Sequence, residues 1–82
     1  MVIMKITLRL YATLTKFLGD HSSGTPVEME IPAGSTLQSL VILLKLPPEE
    51  VKITFVNGII CELDKQLQDG DEVGIFPPIG GG

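Results

Sequence analysis

Residues 27–48 read VEMEIPAGSTLQSLVILLKLPP, and the change of period inside this stretch decides the fold class. Val27, Met29 and Ile31 alternate with Glu28 and Glu30, the period of two expected of a strand with one buried face. Pro32 is expected to terminate that strand, and Ala33-Gly34 to turn the chain. Leu37, Leu40, Val41 and Leu44 then recur at helical spacing along one stripe. Ser35-Thr36-Leu37-Gln38 predicts a capping box, in which Ser35 caps the backbone and Gln38 reaches back. Leu46-Pro47-Pro48 is expected to end the helix, because proline restricts the residue before it and cannot continue the hydrogen-bond ladder.

N-terminal to this stretch, residues 2–10 alternate. Met4, Ile6, Leu8 and Leu10 face one way, and Lys5, Thr7 and Arg9 the other. Leu14, Phe17 and Leu18 predict a short helix over residues 11–18, capped by Gly19. Residues 20–24 read as a polar loop, and the return through Val27 suggests a hairpin-like pairing with the first strand. C-terminal to the main helix, Val51, Ile53 and Phe55 predict a third strand. Asn57-Gly58 predicts a tight hairpin, since both residues tolerate positive φ. Ile59-Ile60-Cys61 is a brief return strand, residues 67–71 turn again, and residues 72–76 form the last strand. The order β-(short α)-β-α-β-β-β predicts an α+β fold, a mixed sheet with one main helix across one face. The first and last strands are expected to lie adjacent and parallel at its centre, with residues 4–8 beside 73–76.

The chain has 82 residues, enough for one domain built on a single core. Few aromatics and no Trp predict a core of Leu, Ile and Val. A formal net charge of −4, with the cations scattered, argues against nucleic-acid binding and favours a basic protein surface as partner. A single cysteine, Cys61, fits a reducing compartment. With neither a signal-peptide pattern nor a long apolar run, a cytoplasmic location is expected.

Side-chain chemistry is sparse. His21 stands in a Ser/Gly loop without a partner at useful spacing, and reads as a surface residue. Cys61 reads as a buried, inert thiol, because nothing near it in sequence would lower its pKa. No metal-ligand spacing is present. Glu62, Asp64, Asp69, Asp71 and Glu72 read as a solvated face, with an acidic rim for a basic partner as the sharper alternative. The unusual feature is Phe76-Pro77-Pro78-Ile79-Gly80-Gly81-Gly82. Two prolines stop sheet pairing and project an extended segment. Three glycines without a Cβ can then thread a narrow channel and place the Gly82 carboxylate in a partner's active site, the plain alternative being a frayed or tag-derived glycine end. This divides the chain into a domain over residues 1–76 and a flexible tail over 77–82, with Phe76 and Ile79 as partner anchors.

The tail, Leu67-Gln68-Asp69-Gly70-Asp71-Glu72-Val73 before it, and Leu10-Tyr11-Ala12 with Phe17-Leu18-Gly19 together resemble the MoaD/ThiS family of β-grasp, ubiquitin-like sulfur carriers. Within that family the resemblance is greatest to the molybdopterin synthase small-subunit branch. The helical segment after the first strand and Phe76-Pro77-Pro78 favour that branch over the thiamin carriers, while Gly80 departs from the larger residue often found there. The resemblance implies a sulfur-carrying subunit that is not a catalyst by itself. An adenylyltransferase resembling ubiquitin-activating enzyme would use ATP and Mg²⁺ to adenylate Gly82. A sulfur donor would then convert the adenylate to a thiocarboxylate. The large synthase subunit would receive the tail, Gly80 and Gly81 threading its channel and Phe76, Pro77, Pro78 and Ile79 contacting its surface. The chain itself would bind no cofactor and no metal. Two alternatives share the same tail: another thiocarboxylate pathway such as thiamin thiazole formation, and a ubiquitin-like modifier joined to lysines.

Overall fold

β1 (Ile3–Leu10) runs through the middle of the molecule, and its alternation sets the inside and outside of the sheet. The computed structural model of the chain describes residues 2–18 and 23–78. Met4, Ile6, Leu8 and Leu10 are buried, whereas Lys5 is exposed and Thr7 and Arg9 are half-buried on the opposite face. β2 (Val27–Pro32) pairs antiparallel with β1, from Leu8 opposite Val27 to Ile3 opposite Pro32. Pro32 is thus the last residue of the strand. Its missing N–H is tolerated because β2 is an edge. β3 (Ile53–Val56), β4 (Ile59–Ile60) and β5 (Glu72–Phe76) complete a five-stranded sheet in the order β2-β1-β5-β3-β4.

β1 and β5 are parallel neighbours at the centre, as the element order predicts. The register differs from the expected one. Thr7 to Leu10 lie beside Glu72 to Ile75, so β5 sits further along β1 than residues 4–8. The reason lies in the turn before β5: Lys5 N–H donates to Asp69 Oδ1 at 2.8 Å, and Gly70 N–H donates to Lys5 C=O at 2.8 Å. The first half of β1 is therefore occupied by the turn, not by the strand.

α1 (Leu37–Leu43) covers the inner face with Leu37, Leu40 and Val41. The core beneath it is aliphatic: Ile6, Leu8, Leu10, Leu14, Ile31, Leu67, Val73 and Ile75 are among its buried members, with no aromatic ring. The sheet and helix so disposed form the β-grasp arrangement. The capping box falls one residue later than the sequence suggests. Thr36 is the N-cap, its Oγ1 accepting from Ser39 N–H at 3.2 Å, and Ser39 Oγ accepts from Thr36 N–H at 3.3 Å. Ser35 instead donates its hydroxyl to Pro32 C=O at 2.6 Å.

The helix also ends before the prolines. Lys45 adopts φ +60°, Lys45 N–H donates to Ile42 C=O and Leu46 N–H to Val41 C=O, which closes a Schellman motif. Leu46 and Val41 are both buried, supplying the apolar contact that accompanies that motif. Pro47 and Pro48 follow an end already made. The short helix after β1 is a 3-10 helix over Ala12–Leu18, whose three-residue turn puts Leu14 and Phe17 on the same side. Asn57 and Gly58 take φ +53° and +82°, both positive as the hairpin reading requires.

Candidate functional site

The alternation that buries one face of the sheet exposes the other, and the registers fix what meets there. Arg9 lies beside Gly74 across the parallel β1–β5 pair. Gly74 faces Phe55 and Phe76 faces Ile53 across the antiparallel β5–β3 pair, and Phe55 faces Ile60 on β4. One row of the outer face therefore reads Arg9, Gly74, Phe55, Ile60. Tyr11, the first residue after β1, lays its ring flat on Phe76, with centroids 4.0 Å apart and an interplanar angle of 6°. Phe55 meets Phe76 edge-on at 5.5 Å and 71°. The cluster gathers three of the chain's four aromatic residues on the side of the sheet away from the core.

Two glycines shape this cluster. At Gly24, which has φ +79°, a Cβ would come within 3.1 Å of Tyr11 Cε1. At Gly74 a Cβ would lie 3.5 Å from Tyr11 Cε2. The ring of Tyr11 is thus flanked along both edges by positions that carry no side chain. Because Gly74 has none, the outer face is dented there. The hollow measures about 290 Å³ and is lined by Arg9, Tyr11, Phe55, Glu72 and Phe76 among others. Arg9 contributes an Nε that is buried and has no hydrogen-bond partner among the described residues. Beside the hollow, Ile60 is 68% exposed.

Phe76 is half-buried in this cluster, outside the aliphatic core. Pro77 is buried and Pro78 exposed, so the chain leaves the packed body between the two prolines. Ile79, Gly80, Gly81 and Gly82 lie outside the described residues, as do Gly19 and His21.

The acidic residues near the last turn do not form a uniform solvated face. Asp71 is buried, and its carboxylate accepts from Asn57 Nδ2 at 3.0 Å and from Gln68 N–H at 2.8 Å. Asn57 Oδ1 in turn accepts from Glu72 N–H at 3.0 Å. The Asp71 carboxylate pairs with backbone and amide groups because the turn must bind the hairpin and the first strand at once; Glu62, Asp64, Asp69 and Glu72 are exposed as the solvated-face reading expects, Asp69 also accepting from Lys5 N–H. Cys61 is half-buried against the core and donates its thiol to Ile59 C=O at 3.4 Å. Among the described residues, no group of three or more His, Cys, Asp or Glu side chains is placed to hold a metal.

With this geometry in place, the comparisons fix the family. The sequence pattern of the ThiS family matches residues 8–82, most of the chain, and spans every residue of the outer-face cluster. The chain belongs to the ThiS family of sulfur carriers. Comparison with curated proteins gives no match. Among solved structures, this ThiS-family chain is similar to the putative molybdopterin converting factor subunit 1 of Pyrococcus furiosus. The identity is 27% and the TM-score 0.70, over 93% of this chain and 99% of that one. It shares its fold with the Haloferax volcanii small archaeal modifier protein 1, with 19% identity, a TM-score of 0.70, and 93% and 99% of the two chains covered. It also shares the fold of a structure from Helicobacter pylori in which subunits 1 and 2 of molybdopterin-converting factor form a complex. There the identity is 21% and the TM-score 0.58, over 96% of this chain and 100% of that one. The α+β sheet-and-helix arrangement is thus ubiquitin-like. No helix among the described residues is long and apolar enough to cross a membrane.

The local sequence pattern singles out Phe76, Pro77 and Pro78 and gives no part to Arg9, Tyr11, Phe55 or Gly74, which the sheet brings beside Phe76. The signal was available: Arg9 and Gly74 occupy polar-side positions of strands expected to be parallel neighbours, and a glycine inside a strand marks a close approach or a gap.

Proposed function

We propose that this chain carries sulfur as a thiocarboxylate on Gly82 and delivers it in molybdopterin biosynthesis. The observation that carries the reading is the ThiS-family match running through residue 82, on a glycine run joined to the central strand β5 by Phe76-Pro77-Pro78. A carboxylate is a poor acyl donor until its oxygen becomes a good leaving group. The partner adenylyltransferase supplies that step. A Gly82 carboxylate oxygen attacks the α-phosphorus of ATP held with Mg²⁺ by that enzyme, and pyrophosphate leaves. Sulfide-level sulfur (HS⁻) from the donor then attacks the carbonyl carbon, the C–O bond to the phosphate breaks and AMP departs, leaving the Gly82 thiocarboxylate. This chain's part is positioning, holding the tail root so that a thin segment without side chains enters the partner. Gly80 and Gly81 thread the channel, while Phe76, Pro77, Pro78 and Ile79 contact its mouth. A large synthase subunit is the recipient of the sulfur. The likeness to the P. furiosus molybdopterin converting factor subunit favours this pathway over thiamin thiazole formation.

The test is mass spectrometry after incubation with the organism's adenylyltransferase, ATP, Mg²⁺ and a sulfur source. Deleting Gly81 and Gly82 is expected to leave the thermal midpoint nearly unchanged and to abolish both adenylation and sulfur gain. One residue added after Gly82 has the same expected effect. A truncated or extended chain that still gains sulfur overturns the terminal-glycine mechanism. Phe76→Ala is expected to weaken partner binding by about 1–3 kcal/mol, as for an interface anchor.

A second reading, a modifier joined to target lysines, is favoured by the likeness to the small archaeal modifier protein. Immunoblots of native cells distinguish the two, since only the modifier yields covalent high-mass conjugates dependent on Gly82.

A further inference from the structure

We infer that Tyr11 is a positioning residue for the reaction at Gly82: its ring holds Phe76, and through Phe76 it fixes the direction in which the tail leaves the sheet. This rests on the reading that Gly82 is adenylated, and adds the device that aims it. The first observation is how little else holds the exit. Ile75 C=O accepts from Tyr11 N–H at 3.3 Å, and Phe76 C=O from Lys52 N–H at 2.9 Å. Beyond Phe76, Pro77 and Pro78 have no N–H, so neither can be tied to the sheet through a backbone donor. Pro77 is buried, continuing the alternation of Val73 and Ile75, and grips the root from the inner side. On the outer side the hold is the Phe76 ring, lying flat on Tyr11 at 4.0 Å and 6° and braced edge-on by Phe55.

The second observation is what the fold gives up to place Tyr11. Ala12 adopts φ +53°, the left-handed region that a residue with a Cβ enters at a cost. Ala12 N–H donates to Ser23 Oγ at 3.0 Å, and Gly24 N–H to Leu10 C=O at 2.9 Å, so the turn before β2 clamps the backbone on either side of Tyr11. Gly24, itself at φ +79°, leaves room for one edge of the ring and Gly74 for the other. Yet Tyr11 and Phe76 both stand outside the aliphatic core. A strained residue and two glycines serve a contact that the core does not use, and that contact ends at the tail. The third observation is leverage. A proline pair keeps φ near −65° and advances about 3 Å per residue, so a change of direction at Phe76 is carried outward and not absorbed. Misplacing a reacting group by about 1 Å can cost about 100-fold in rate.

The experiment follows adenylation of the full-length chain by its organism's adenylyltransferase through ATP–pyrophosphate exchange, with thermal midpoints of every variant recorded in parallel. Tyr11→Leu keeps an apolar side chain without the flat ring. It is expected to lower kcat about tenfold or more and to change KM for the chain by less than about threefold. Tyr11→Phe keeps the ring and is expected to restore kcat. Replacing Pro77 and Pro78 together by glycine removes the lever. That chain is expected to lose kcat as well, and adding Tyr11→Leu to it to lower kcat no further. Wild-type kcat in Tyr11→Leu overturns the inference. So does a loss that falls on KM, or one that persists in full in the Pro77→Gly, Pro78→Gly chain, since either makes Tyr11 a plain contact residue. Independently of the enzyme, carbon relaxation at Pro78 Cα is expected to give a lower order parameter in Tyr11→Leu than in wild type or Tyr11→Phe. Equal order in all three overturns the inference even where Tyr11→Leu has a lowered midpoint. Any of these results with an adenylated wild type leaves the sulfur-carrier reading intact, whereas a wild-type chain that is not adenylated overturns both.

Discussion

Asp71 binds together three segments that are distant in sequence. Its carboxylate receives the Asn57 amide and the Gln68 N–H, and its own C=O accepts from Thr7 N–H at 2.9 Å. The residue therefore links the β3–β4 hairpin, the last turn and β1. Asp71→Ala leaves the part-buried Gln68 N–H and the Asn57 amide without acceptors, which costs about 1 kcal/mol. Urea unfolding is expected to show a lower midpoint at an unchanged slope. An unchanged midpoint would mean that water replaces both bonds at no net cost. Asn57 illustrates the limit of local reading. Its positive φ follows from the Asn-Gly pair, whereas its side-chain partner lies 14 residues away and is not written in the hairpin signal.

The main helix shows at the scale of an element how local chemistry can be read almost correctly. The apolar stripe placed Leu37, Leu40 and Val41 on the core, and Thr and Ser are both good caps. The cap moved by one residue because Leu37 N–H donates to Lys65 C=O and Thr36 forms a bridge with Gln66, fixing where the helix begins. Its end is set by Lys45 in the left-handed region, where glycine is the favoured residue. Lys45→Gly is expected to raise stability by about 0.5–1 kcal/mol, since the removed backbone strain exceeds the extra freedom of the unfolded chain. Denaturant titration measures it. A loss of stability instead would show that the left-handed turn does not persist in solution.

At the scale of the molecule, the central β1–β5 pair joins the buried core to the root of the tail. Leu8 and Ile75 are wholly buried on its inner face, while Arg9 and Gly74 lie on the outer one. Leu8→Ala opens a cavity beneath α1 and is expected to cost about 2–5 kcal/mol. That is a large part of the roughly 5–15 kcal/mol holding a typical domain. Thermal unfolding followed by circular dichroism should show a midpoint many degrees lower. Phe76→Ala on the outer face, by contrast, is expected to weaken partner binding with little change in midpoint. A Leu8→Ala chain as stable as wild type would place the core elsewhere.

The sequence determined by itself the order of the elements and the aliphatic character of the core, because each depends on composition or on residues close together in the chain. Period two buried Met4, Ile6, Leu8 and Leu10; Asn57-Gly58 made the hairpin; Phe76-Pro77-Pro78 ended the last strand. The ThiS-family match covers the segments where those features lie from residue 8 onward. Only the tertiary structure decided the register of β5 on β1, the burial of Asp71 and the meeting of Arg9, Tyr11, Gly74 and Phe76. The register and the meetings of Arg9 with Gly74 and of Tyr11 with Phe76 depend on contacts between residues more than 60 positions apart, and the Asp71–Asn57 bond on residues 14 apart. Such contacts are chosen by the joint packing of sheet, turn and helix, and no local pattern records that choice.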